Sequence, residues 1–142
     1  MELSFDLGIK EYTVKGAKGK TVIRFSPTDA NFARRAYETF TVLEKKQKER
    51  AEMINEKTSS KEAFEFTKRI DEEMRNSIDE LFGCPVCEGV FGTINLYSMA
   101  GGSPVWLNFM NAILEQFDEN IKRERYLLVS EKAKKYTNKY HA

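Results

Sequence analysis

Histidine is almost missing from this chain. The single one is His141, so a Ser-His-Asp or Cys-His catalytic arrangement has no support. Cysteine is nearly as scarce, with only Cys84 and Cys87. Two thiols in 142 residues do not make a secreted disulfide framework. No apolar run approaches the length that spans a bilayer. Met1-Glu-Leu-Ser-Phe-Asp6 starts with acids and alternation, where a secretion signal would carry an apolar run. The expectation is therefore a cytosolic protein with no membrane partner. Charge of one sign is lacking too: the formal net charge is +1, which gives the whole molecule no strong preference for nucleic acid. A Walker-type loop is absent, since Gly16-Ala-Lys-Gly-Lys20 lacks the spacing and precedes a strand pattern. No enzyme is expected, and no cofactor.

Apolar and charged residues are plentiful. Hydrophobic residues make up 41%, enough for a core, and charged residues make up 32%, which suits long solvated helices. The charge is uneven. Residues 122–142 hold seven Lys or Arg and two acids, a segment of +5, so residues 1–121 sum to −4. The reading is a single α+β domain over 1–121 and a basic C-terminal helix extension or tail over 122–142. Lys in such a tail opposes the negative end of a helix dipole.

The N-terminal quarter has strand character. Phe5 and Leu7 alternate with Ser4 and Asp6, and a β-rich run ends at Val14. Lys15 to Lys20 supplies turn residues, and Thr21 to Phe25 is a second β-rich run. This predicts an antiparallel β-hairpin with a four-to-six-residue loop and room for an extra strand before it. A two-stranded ribbon is not stable alone, so one face must be covered.

Ser26-Pro27 reads as a helix start, with Ser26 capping and Pro27 in the first helical position. Ala33, Ala36, Tyr37, Phe40 and Leu43 then share one face. Glu44 to Arg50 reads as an exposed turn or two of helix. Ser59 followed by Glu62 fits a capping box. The next helix carries Phe66, Ile70, Met74, Ile78 and Phe82, and Gly83 stops it. Ser103-Pro104 opens a last helix with Trp106, Met110, Ile113 and Phe117 on its face. The architecture expected is a hairpin packed on a bundle of about three main helices. Phe40, Phe66, Ile70, Met74, Trp106, Met110, Ile113 and Phe117 are its expected core. Asp71-Glu-Glu73 and Asp118-Glu119 read as solvated helix faces.

The segment Leu81 to Gly92, LFGCPVCEGVFG, holds both thiols inside a repeated Phe-Gly frame. A C-x-x-C pair that opens a helix can become a redox dithiol. Redox folds place that motif after a strand of a βαβ unit, whereas here it follows a helix. A zinc site needs about four ligands, and one chain offers Cys84, Cys87 and His141. Two chains could share a four-cysteine site. The simpler reading makes both thiols small buried residues, with each glycine permitting a turn and each Phe anchoring it.

Several stretches together point further. They are the strand-rich start Phe5-Asp-Leu-Gly-Ile-Lys-Glu-Tyr-Thr-Val14, then Phe25-Ser-Pro-Thr-Asp29, then Ile78-Asp-Glu-Leu-Phe-Gly83. A second Val90-Phe-Gly92 follows, and a last helix opens Pro104-Val-Trp-Leu-Asn-Phe109. The layout resembles small tail proteins of phages and prophages of low-GC Gram-positive bacteria, of the tail assembly chaperone type. Cys84-Pro-Val-Cys87 departs from the polar turn expected there. The resemblance implies a non-enzymatic protein of the bacterial host cytoplasm that coats the long helical tape measure protein. It would deliver that protein to polymerising tail-tube subunits and be absent from the mature virion. The family has no catalytic residues to carry over. Apolar residues least accounted for by the core stripes are the expected contact surface: Phe5, Leu7, Tyr12 and Val14 on the hairpin, and Tyr126, Leu127, Tyr136 and Tyr140 distally. The hairpin edge could link neighbouring copies by strand pairing, so self-association is expected. Two alternatives stand beside this reading. One is a structural virion component, such as a head–tail connector or tail-completion protein. The other is a thiol- or zinc-dependent regulator using Cys84 and Cys87.

Overall fold

A computed structural model describes residues 1–117. The fold is α+β: an N-terminal antiparallel hairpin followed by helices. Strand β1 is Lys10–Gly16 and β2 is Gly19–Phe25. Their register, Gly16 opposite Gly19 and Lys10 opposite Phe25, leaves Ala17-Lys18 as a two-residue loop. The loop is shorter than the sequence suggests because strand pairing runs to both glycines. Residues 1–9 form no strand, so the extra strand is not made. Opposed residues share a face. Tyr12, Val14, Ile23 and Phe25 turn inward, while Glu11 and Arg24 pair outside at 2.6 Å.

Helix α1 is Ala30–Met53. It starts later than Ser26-Pro27 predicts. Ser26 and Pro27 are buried, and the Ser26 carbonyl accepts from the Asp29 amide at 3.2 Å, which closes a turn before the helix. Asp29 caps instead, its carboxylate accepting from the Asn31 amide at 2.9 Å. Helix α2 is Ser60–Phe82. Ser59 accepts from the Glu62 amide at 3.1 Å, as the capping pattern predicts. Gly83 ends α2 in the left-handed region, at φ +69°. Its amide reaches the Glu80 carbonyl and the Cys84 amide reaches Asp79, both at 3.2 Å. This paired closure satisfies carbonyls the helix end would otherwise orphan.

The short helix α3 is Cys87–Phe91. Two-residue strands β3, Met99–Ala100, and β4, Ser103–Pro104, then pair with each other. Helix α4 begins at residue 105 and is helical through 117. Ser103-Pro104 is therefore strand, not cap. The first amides of α4 donate to loop carbonyls: Val105 to Ser98 at 2.8 Å and Trp106 to Leu96 at 3.3 Å.

α1 and α2 pack side by side through a short connection. Lys46 reaches Glu73 at 2.9 Å, and Arg50 reaches the Thr67 hydroxyl at 3.1 Å. These pairs set an antiparallel alignment. α4 crosses the pair, with Trp106 edge-on to Phe40 at 5.5 Å and Phe117 against Phe32 at 5.6 Å. Phe25 of β2 lies at the centre of the ring cluster, 4.4 Å from Tyr12, 5.2 Å from Phe32 and 5.4 Å from Phe117. The hairpin thus covers its apolar face on all three long helices.

Ile70, Met74, Trp106, Met110, Ile113 and Phe117 are buried as expected. Phe40 and Phe66 are only half-buried, packed against the edge of the core. Tyr37 faces outward, and Phe32, outside the predicted stripe, is buried in its place. The later start of α1 leaves Phe32, Ala33, Ala36 and Leu43 as its inward set. The charged run Glu44 to Arg50 is not a free face either. Lys46 and Arg50 bind α2, and Gln47 accepts from the Trp106 indole N–H at 2.5 Å. The 121/122 domain boundary and the basic tail lie outside the described residues, as do Asp118 and Glu119.

Ile113 is 4% exposed. Truncation to Ala should cost about 2–5 kcal/mol in denaturant unfolding. Phe66→Ala, at a half-buried site, should cost clearly less than Phe→Ala in a closed core. A loss at Phe66 of about 3–5 kcal/mol, the cost of Phe→Ala in a closed core, would contradict this packing.

Candidate functional site

Three polar residues of α2, at steps of four, border its buried stripe. Asp71, Arg75 and Asp79 each follow a fully buried residue: Ile70, Met74 and Ile78. They face the segment that contains the thiols. One Asp71 oxygen accepts from the Leu96 amide at 2.8 Å, and the other pairs with Arg75 Nε at 2.9 Å. Arg75 Nη2 donates to the Ile94 carbonyl at 2.6 Å. Asp79 Oδ1 accepts from both the Val86 and Cys87 amides at 2.9 Å. The Asp71 and Arg75 side chains are only 16% and 18% exposed. Asp71 is thus not on a solvated face. It fixes loop amides that would otherwise be orphaned.

This ladder decides what the Cys-Pro-Val-Cys turn does. Asp79 takes the amides of Val86, just before α3, and of Cys87, its first residue, so it acts as the acceptor at the start of that helix. Cys84 is exposed and Cys87 is buried. The Cys87 thiol donates to the Arg75 carbonyl at 3.5 Å. Burial pushes its pKa well upward, and the nearby Asp79 carboxylate adds to that. An attacking thiol needs the opposite shift, so Cys87 is not placed to be one. Among the described residues no group of three His, Cys, Asp or Glu could hold a metal ion. His141 lies outside them. The two Phe-Gly pairs work as anchored turns: Phe91 meets Phe109 edge-on at 5.5 Å, and Phe82 packs 6.1 Å from Phe109.

α3 in turn holds the hairpin tip. The Ala17 amide donates to the Val90 carbonyl at 2.8 Å and the Lys18 amide to Gly89 at 3.3 Å. Lys18 also pairs with Glu88 at 2.8 Å. The approach is so close that a Cβ on Gly16 would stand 2.5 Å from the Val90 carbonyl oxygen. Only glycine fits such a backbone contact.

The expected contact residues divide. Tyr12 and Val14 are half-buried against the core, Tyr12 stacked on Phe25, so the hairpin itself uses them. Phe5 and Leu7 are 78% and 65% exposed. They belong to an unpaired arm, residues 1–9, in which Met1, Leu3 and Ile9 are exposed as well. Every apolar side chain of the arm is at an odd position. Tyr126, Leu127, Tyr136 and Tyr140 lie outside the described residues. The periodicity of Asp71, Arg75 and Asp79 was visible in the sequence. What it binds was not, because the acceptors and donors are backbone groups of a segment without regular structure.

No family model, curated protein or solved structure matches the chain. Among the described residues no helix is long and apolar enough to cross a membrane.

Asp79→Ala should destabilise the fold by about 1–3 kcal/mol, the cost of stranding buried amides. Asp79→Asn, which keeps an acceptor oxygen, should cost less. A neutral result for the alanine variant would remove the ladder's role. A thiol reagent should label Cys84 in the native protein and Cys87 only after unfolding. The folded Cys87 thiol stays neutral where the unfolded one ionises near 9.0. Its contribution to stability is therefore complete below that pH and declines above it. Equal labelling rates for the two thiols would contradict the burial.

Proposed function

We propose that the chain is a non-enzymatic tail assembly chaperone that works by protein contact. Its client is the tape measure protein of a phage or prophage, which it keeps soluble in the host cytoplasm and passes to tail-tube subunits. The observation that carries the reading is the arm. Five apolar side chains at alternate positions stay exposed among the described residues, and such a row marks an interaction surface. The resemblance of the layout to tail assembly chaperones supplies the client. A long helical client with apolar faces aggregates unless covered, and many copies bound along it would hold it through repeated weak contacts.

The chemistry of Cys87 weighs against one alternative, the thiol- or zinc-dependent regulator. A thiolate ligand or nucleophile at Cys87 would have to break the Arg75 contact and ionise in a buried site. A metal- or thiol-dependent regulator has little to work with among the described residues.

Co-expression tests the proposal. The tape measure should be soluble with this protein and precipitate without it, and the two should co-purify. A tape measure equally soluble alone, with no co-purification, would refute the chaperone. Stoichiometric protein in finished virions would instead select a structural component.

A further inference from the structure

The arm and the hairpin edge fit each other. β1 pairs with β2 alone, and no other backbone hydrogen bond joins residues 10–15 to the described chain. Its outer edge is therefore an open template for another strand. Beside its distal half lies an open apolar groove of about 390 Å³. Val14 and Lys15 of β1, Val90 and Phe91 of α3, and Phe109 and Ala112 of α4 line it. A strand added to β1 would lay every second side chain over this groove.

The arm has the matching pattern. Leu3, Phe5 and Leu7 alternate with Glu2, Ser4 and Asp6, so one face is apolar and the other acidic. The hairpin carries five cations, Lys10, Lys15, Lys18, Lys20 and Arg24, against the single acid Glu11, a net +4. Over residues 1–9 the arm carries two acidic side chains and no basic one, a side-chain net of −2. Lys18 and Arg24 already have partners, and Lys15, on the groove wall, has none among the described residues. The arm also leaves its own domain. Asp6 accepts from the Gly8 amide at 2.7 Å, Gly8 has φ +73°, and the chain turns there beside Ser26.

We infer that the arm of one copy pairs with the β1 edge of a second copy, seating Phe5 and Leu7 in its groove. Main-chain hydrogen bonds supply affinity in such strand addition, and the alternate side chains supply specificity. Both halves are on every copy. The contact closes as a reciprocal dimer or continues as a row of copies, according to the rotation between them. This rests on the proposed reading of the arm as a protein-contact element and assigns its occupant.

Sedimentation of the full chain without client tests it. The wild type should self-associate. Phe5→Ser with Leu7→Ser should be monomeric with unchanged helical content, because the arm is outside the core. Ala112→Glu, at an exposed groove position, should be monomeric as well. Mixing those two variants should restore a hetero-association, since one supplies a groove and the other an arm. A monomeric wild type would overturn the inference, as would either variant that still self-associates or a mixture that stays monomeric. If the wild type is monomeric while client solubility still needs Phe5 and Leu7, the arm belongs to the client and the proposed function survives the loss.

Discussion

The carboxylates of Asp71 and Asp79 are the constraint on which the rest of this structure depends. With Arg75 between them, they tie residues 86–96 to α2 through hydrogen bonds of 2.6 to 2.9 Å. Bonds to a charged group contribute about 1.5–3 kcal/mol each. That segment has too little regular structure to hold itself. Once fixed, it presents the Val90 and Gly89 carbonyls to the hairpin tip. The tip then sets the register in which Ile23 and Phe25 meet the three long helices. A polar row on one helix thereby positions an apolar sheet that touches it only lightly.

The same constraint closes off one of the paired cysteines, Cys87, while Cys84 stays exposed. The amides around them are committed to Asp79, and the Cys87 sulfur is committed to the Arg75 carbonyl. A residue held neutral and closed off from solvent is poorly placed to react. Among the described residues the exposed apolar row lies at the other end, in the arm of residues 1–9. A fixed frame with an exposed arm is the arrangement on which the proposed contact role rests.

The fold was legible where one element answers to one local rule. The Ser59–Glu62 cap, the Gly83 stop and the apolar stripe of α2 could each be read in the sequence. The two Ser-Pro pairs misled for a physical reason. A serine before proline can cap a helix, but Ser26 is buried in a turn and Ser103 pairs with a strand. Glu44 to Arg50 misled because charge alone does not say whether a side chain meets water or a neighbouring helix. The exposure of Phe5 and Leu7 was readable as apolar residues beyond the core's needs. Tyr12 and Val14 were read with them, yet strand alternation turns these two inward.

Native-state hydrogen exchange, resolved by residue, tests most directly whether a rigid frame carries one free arm. The amides of Val86, Cys87 and Leu96 should exchange as slowly as those of Ile70 and Met74, through global opening. In dilute protein the amides of Leu3 and Phe5 should exchange at close to unprotected rates. Fast exchange at Val86, Cys87 and Leu96 with protection retained in α2 would contradict the account, because the thiol segment would then be a loop that opens independently of the core.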